Sequence, residues 1–339
     1  MTTHPDGGCT LSGALSVTTE IEGCITIIHG PRGCAHHNFS LFHALSVARR
    51  DPRLPVVVSS DLGERDVIFG GEEVLDAIIK KACERKPPLV CVLSTCVTGA
   101  IGDDVEAVCR GYSSPPVISI PTAGFLGGGF LDGHIQALKA LTSLAKPAKK
   151  CRGVAIVGEK TLEYEREEHY KEVARLLSTI GIPVVTRFVS RSTAGAIARI
   201  GSPSLNILRD PSMVPVGKFL EKKFGTPYIE SFPLGLGGTL RFLEEVGEYF
   251  SIDTSGAVAE EEARQKRILC EFASLRGQSI SLRGPSGEPV DSPPCRDLAP
   301  AIGVSIREDG RPFPLPDPFP VGTAGVRRLL HRWRRCCHA

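Results

Sequence analysis

The sequence predicts an α/β protein of repeated Rossmann-like domains with parallel sheets, followed by a third domain that is incomplete or irregular. Two observations carry the fold class. Short β-branched runs alternate with longer stretches of helical apolar spacing, the pattern of strand-helix-strand units in parallel sheets. Several of these runs stop abruptly at glycine or proline, as buried strands do when they deliver a loop to a sheet edge. A third observation sets the scale: 339 residues are too many for one ordinary core and point to two or three domains.

In chain order, residues 1–20 read as a loop carrying Cys9 and then a helix start, with Ser12 as its N-cap. A strand at 24–28 ends at His29-Gly30-Pro31-Arg32-Gly33-Cys34, and Phe39, Leu41, Phe42 and Leu45 suit a helix packed on the sheet. A strand at 55–60 follows, and Val74, Leu75, Ile78, Ile79 and Ala82 give helical spacing over 72–85, ended by Pro87-Pro88. The strand at 89–93 presents Cys96 at its carboxyl-terminal end. A helix at 103–110, a strand at 117–120, a glycine-rich loop at 124–129 and a helix at 134–144 close a first domain, 1–150.

A second domain, 151–254, carries strands at 153–157, 183–186, 205–208 and 227–230, with helices near 170–180, 214–224 and 239–250. Residues 255–339 read as a connecting helix, over 258–274, and an irregular third domain, truncated, frame-shifted or remodelled. Beyond about Gln278 the chain is rich in proline and arginine without a sustained period, a composition that favours loops or disorder.

A net charge of +2 gives no reason to expect nucleic acid, and 42% hydrophobic with 23% charged residues is a globular composition. No run of 18 apolar residues and no signal-peptide pattern occurs, so the expectation is a cytoplasmic protein that does not engage a membrane. Twelve cysteines are then no disulfide framework, because the cytosol keeps thiols reduced. The absence of any CxxC pair argues against a zinc ribbon or a local ferredoxin motif, so a cluster would draw its ligands from distant loops. Cys9, Cys34 and Cys96 all sit in loops punctuated in this way, and the working hypothesis is that they share one metal cluster. Thiolates are the soft ligands iron prefers, and a cluster needs about four of them. Three from one chain leave the fourth to a second subunit or to a non-cysteine ligand.

Cys24 and Cys91 lie inside apolar strands, and Cys83 and Cys109 on helices; these read as core or surface residues, with Cys24 the local reserve ligand. His29, His36 and His37 flank Cys34 and either tune a cluster or cap backbone and pack. Asp103 and Asp104 read as helix-start carboxylates. No GxxxxGK[ST] sequence is present, so this chain has no P-loop for ATP, and residues 153–159 lack the GxGxxG of a nicotinamide site.

Four ordered motifs resemble nitrogenase component 1, the family of the molybdenum-iron protein subunits, their cofactor-assembly scaffolds and the dark-operative protochlorophyllide reductases. They are Cys9-Thr10-Leu11-Ser12-Gly13-Ala14, His29-Gly30-Pro31-Arg32-Gly33-Cys34-Ala35, Asp66-Val67-Ile68-Phe69-Gly70-Gly71-Glu72, and Leu93-Ser94-Thr95-Cys96-Val97-Thr98 followed by Ile101-Gly102-Asp103-Asp104-Val105. The resemblance continues weakly through Pro227-Tyr228-Ile229-Glu230 and covers roughly residues 5–275. It implies an iron-sulfur cluster, of 4Fe-4S type, held by Cys9, Cys34 and Cys96 at a subunit interface, in a homodimer or in a heterodimer with a related subunit. It also implies a separate nitrogenase-reductase-like ATPase that delivers electrons, and a small-molecule substrate or a metallocofactor. His134 follows the glycine loop where the family lines its substrate cavity, which makes it the catalytic candidate, against a plain solvated histidine at a helix start.

Two departures stand against turnover of the family's best-known kind. The third domain is not spelled out after about Gln278, and no cysteine lies between Cys151 and Cys270 to anchor a large catalytic cofactor. The sequence therefore argues against dinitrogen reduction. It leaves an electron-transfer and substrate-reducing subunit, a cofactor-assembly scaffold, or a truncated paralogue without turnover.

Overall fold

A computed structural model describes residues 8–48, 54–124, 128–161, 163 and 165–338. Residues 1–7 of the expected N-terminal loop and residues 125–127 of the glycine-rich loop lie outside the described residues. The described residues fall into two compact units, those within Met1–Leu162 and Val185–Tyr228, and those within Glu163–Val184 and Ile229–Ala339.

The first unit begins with α1 (Thr10–Thr18), β1 (Ile25–His29), α2 (Arg32–Ala48), β2 (Val56–Ser59), α3 (Glu64–Phe69), α4 (Glu72–Glu84) and β3 (Val90–Ser94). It continues through α5 (Cys96–Ile101), α6 (Val105–Arg110), β4 (Val117–Ile120) and α7 (Phe130–Leu141). The sheet order is β2-β1-β3-β4, every pair parallel, with Ile25 opposite both Val56 and Val90, and Val90 opposite Val117. Parallel strands covered on both faces need apolar residues on both sides. β1 meets this with five buried residues in succession. Ile28 and Leu93 enter a core with Leu15 and Leu138, whereas Ile27 and Val92 enter the opposite core with Leu75 and Ile79 of α4. Each such side chain contributes about 2 kcal/mol.

α1 is buried along its whole length, which requires a close neighbour. A Cβ at Gly13 would overlap the Phe130 carbonyl of α7, and one at Gly133 would overlap the Thr10 carbonyl of α1. The two glycines let the helix backbones touch. The expected N-cap is corrected here: α1 starts after Cys9, which is extended at the N-cap, and Ser12 lies inside the first turn. Ser12 is drawn inward by a bond to Asn38 instead of capping a backbone N–H.

β5 (Cys151–Val157) opens a second sheet, and α8 (Arg166–Thr179), which follows it, belongs to the other unit. β6 (Val184–Phe188), α9 (Ala194–Ala198), β7 (Pro203–Leu208), α10 (Val214–Phe224) and β8 (Tyr228–Ile229) complete the order β6-β5-β7-β8. β5 and β7 run parallel, with an irregularity between Cys151 and Val154.

The second unit is formed by α8, α11 (Gly235–Phe250), α12 (Ser255–Cys270), β9 (Ser279–Arg283), α13 (Pro293–Ile302), β10 (Ser305–Ile306), β11 (Arg311–Pro314) and α14 (Gly322–His338). The expectation of loops beyond Gln278 is therefore corrected. A small parallel sheet of order β10-β9-β11 forms there, with its own core. The prolines that broke the pattern occupy permitted places. Pro293 and Pro294 start α13, where no N–H donor is needed, and Pro312 and Pro314 sit on an edge strand. The arginines of α14 likewise hide an apolar stripe: Val326, Leu329, Leu330, Trp333 and Cys337 are all buried. Among the described residues no helix is long and apolar enough to cross a membrane.

Candidate functional site

All three candidate thiols lie at the carboxyl-terminal edge of the first sheet. Cys9 is the N-cap of α1, Cys34 lies in the first turn of α2 just beyond β1, and Cys96 opens α5 just beyond β3. β1 and β3 are neighbours in register to their last residues, His29 opposite Ser94, so their loops leave the sheet side by side. A Cβ at Gly30 would collide with the Thr95 side chain, which explains the glycine in the turn between β1 and Cys34. Cys9 and Cys96 are exposed and Cys34 is half-buried.

Side-chain bonds stitch the three loops together. Cys9 Sγ lies 3.6 Å from Ser12 Oγ, and Ser12 Oγ donates to Asn38 Oδ1 at 2.6 Å. Asn38 Nδ2 in turn donates to the Cys34 carbonyl at 2.8 Å. On the other side, Thr10 Oγ1 donates to the Thr122 carbonyl at 2.6 Å, and the Thr122 side chain donates to the Ser94 carbonyl, two residues before Cys96. Sequence reasoning missed Asn38, Thr122 and Ser94, because a polar residue that braces a neighbouring loop has no local spacing. The thiols also sense one another: burial first, and then the Cys9 and Cys96 sulfurs, push the Cys34 thiol up. In the metal-free chain Cys34 is thus a protonated thiol at neutral pH, and binding a soft metal would release its proton.

His29 braces the edge from below. Fully buried, it places Nε2 3.0 Å from Asp103 Oδ2 and Nδ1 3.0 Å from Ser60 Oγ. Asp103 Oδ1 accepts from the Gly71 N–H, and Ser60 Oγ accepts from the Gly30 N–H. One imidazole therefore ties the ends of β1 and β2 to the turns before α4 and α6. Burial lowers the His29 pKa below its ordinary 6.5, and the hydrogen bond and charge of Asp103 only partly oppose this. Asp103 is thus a buried partner of His29, whereas Asp104 caps α6 by accepting from the Ala107 N–H, as the helix-start reading expects.

The remaining candidates lie elsewhere. Cys24 sits just before β1, at the end of the strand opposite Cys34, and its buried thiol is 3.7 Å from that of Cys91. His134 is not a solvated helix-start residue but is buried in α7, with Nδ1 2.9 Å from Ser16 Oγ. His36 and His37 are exposed on α2. On α3, at the same strand-end edge, Val67, Ile68 and Phe69 are 41%, 72% and 80% exposed.

The corresponding edge of the second sheet is closed by charge. Arg187 of β6 forms a two-point ion pair with Glu159, just beyond β5, at 2.7 and 2.8 Å. Lys160 lies 3.8 Å from Asp210, which follows β7.

Among the described residues no three His, Cys, Asp or Glu side chains stand close enough to hold a single metal ion. A multinuclear cluster is a different demand, because its thiolates bind different irons and stand farther apart. Three thiols converging on one edge are all soft donors, the donor chemistry such a cluster takes.

The family profile described as nitrogenase component 1 type oxidoreductase matches residues 9–278, a span that holds all three thiols. The chain belongs to this family. Among its relatives, the nitrogenase iron-molybdenum cofactor biosynthesis protein NifE of Clostridium pasteurianum is 33% identical over 288 residues, covering 81% of this chain and 62% of that protein. The nitrogenase molybdenum-iron protein alpha chain of Methanococcus maripaludis is 26% identical over 334 residues, 89% of this chain and 69% of that one. The solved structure of nitrogenase Cp1 at pH 6.5 matches with a TM-score of 0.70 and 24% identity, over 90% of this chain and 62% of the nitrogenase chain. That likeness shows the fold. The chain spans about six-tenths of the length of the first two NifE relatives, 62% and 61%.

Proposed function

We propose that this nitrogenase component 1 family member is the iron-sulfur, electron-transferring and substrate-reducing subunit of a two-component oxidoreductase. Cys9, Cys34 and Cys96 are its cluster ligands. The observation that carries the reading is the gathering of three soft ligands at one sheet edge, at helix starts tied together by bonds from Ser12 to Asn38, from Thr10 to the Thr122 carbonyl and from Thr122 to the Ser94 carbonyl. A bound iron-sulfur cluster would supply a one-electron relay. The chain's own part is to hold the thiol-bearing loops in register through His29, Asn38 and Thr122 before metal arrives. Electrons would come from a separate ATP-hydrolysing iron-sulfur reductase, consistent with the missing P-loop. The exposed Val67-Ile68-Phe69 run is apolar surface of the kind a partner covers. A second subunit, the same or related, would supply the fourth ligand. In support, α2 contains no Asp, Glu or Lys and exposes Leu41 and Val47 beyond Cys34.

A second reading, a scaffold on which a nitrogenase-type metallocofactor is assembled, is favoured by the 33% identity to a cofactor biosynthesis protein. The test begins with iron and acid-labile sulfide per chain after anaerobic purification, for wild type and for a Cys9→Ala, Cys34→Ala, Cys96→Ala variant. Iron with matching sulfide in wild type alone supports both readings, and a folded, reconstituted wild type without iron overturns both. Electron flow from a nitrogenase-type reductase to a small-molecule acceptor then selects the first, and transfer of a bound metallocluster to an acceptor protein the second.

A further inference from the structure

The second unit carries a cluster of arginines that the thiol site leaves unexplained. Arg264 and Arg267 stand one turn apart on α12, and Arg327 and Arg328 are adjacent on α14. They line one groove of about 430 Å³ with Ile268 among them. The groove has four guanidinium groups against a single lining carboxylate, Glu271. That carboxylate is already used, since Arg327 donates to it from Nη2 at 2.8 Å and from Nε at 3.1 Å. Arg328 donates from Nε to Glu165 at 2.7 Å, and its Nη2 is buried without a hydrogen-bond partner. Arg264 and Arg267 form no ion pair among the described residues. The nearby buried carboxylate that feels Arg264, Glu172, already accepts two bonds from Arg175 and one from the Ala324 N–H.

Like charges gathered in one groove repel, and an anion that joins them offsets that cost. Guanidinium groups do this best for oxyanions, because each presents a flat fork of donors that pairs two oxygens at once. A groove of this size is in the range of small-molecule sites, about 300–1,000 Å³. We propose that this groove binds a small organic or inorganic oxyanion carrying two or more negative charges, a phosphate or a polycarboxylate. Arg264 and Arg267 are the recruiting pair, and Arg327 and Arg328 add positive charge to the groove wall. The proposal does not rest on the thiol cluster.

The experiment is calorimetric titration of the full metal-free chain with pyrophosphate and, separately, with citrate, at fixed ionic strength. Saturable binding of at least one, with Kd of about 1 mM or tighter, is expected. Arg264→Gln with Arg267→Gln should weaken it by about tenfold or more, with the thermal midpoint not lowered because neither residue holds an ion pair. Lys266→Gln, on the same helix but outside the groove, should change affinity by less than about twofold. Stronger binding of pyrophosphate assigns the phosphate class, and stronger binding of citrate the polycarboxylate class. No saturable binding of either, or an equal loss in Lys266→Gln, overturns the proposal.

Discussion

The two four-stranded sheets of the first unit have the same kind of edge and put different chemistry on it. At the first, the loops after β1 and β3 and the start of α1 bring three thiols to an edge where Cys9 and Cys96 remain exposed. At the second, the residues after β5 and β7 and the end of β6 are locked into ion pairs, with Glu159 buried against Arg187. Open α/β sheets place ligands at the carboxyl ends of strands, but topology only offers the location. Whether the edge stays open depends on whether its polar groups satisfy each other. Thiols hardly do so, and under the proposed function the first edge keeps its valency for metal. Carboxylates and guanidinium groups do so fully, and the second edge spends its valency on itself.

The largest expected effect tests the first edge against the interior of its own strand. Cys34→Ala should reduce iron after anaerobic reconstitution to background, whereas Cys24→Ala, at the other end of β1, should leave iron per chain unchanged. Equal loss in both would dissolve the distinction between edge and core. Next comes Gly133→Ala. Its new methyl group would press on the Thr10 carbonyl, one residue from Cys9, and should cost about 3 kcal/mol or more in urea unfolding while lowering iron content. A wild-type midpoint would show that α1 and α7 are not wedged together.

The second edge is probed by Glu159→Gln, which removes the negative charge paired with the Arg187 guanidinium, itself 11% exposed. The expected cost is about 3 kcal/mol with no change in iron stoichiometry, and a variant that loses iron would join the two edges functionally. The smallest effect is a pH dependence. Because the folded chain holds His29 neutral, its pKa is depressed, so the unfolded state binds more protons just below 6.5. Stability from neutral His29 is complete above that value and declines as pH falls toward the lower folded pKa. The stability gap between wild type and His29→Gln, read by urea unfolding, should therefore be wider at about pH 7.5 than at about pH 5.5. A gap that widens in acid would contradict the burial of a neutral imidazole between Ser60 and Asp103.

Much of the fold was legible because buried parallel strands are continuous apolar runs. β1, β3 and β4 fall within a residue of their expected limits, and α4 and α10 where the 3.6-residue spacing puts them. The last sixty residues were not legible in the same way. Their prolines sit at a helix start and on an edge strand, and their arginines flank the buried face of α14, so local composition resembled a loop. Local sequence carries period and punctuation, and it marks which residues can act as ligands. That sufficed for the parallel α/β class and for the strand-end turns that lead into Cys34 and Cys96. Which polar side chains meet across the chain is settled by packing between elements distant in sequence. Only the tertiary structure therefore set Thr10 on the Thr122 carbonyl, moved Ser12 from a cap to a brace, buried His134, joined His29 to Asp103, and gathered four arginines from two helices around one groove.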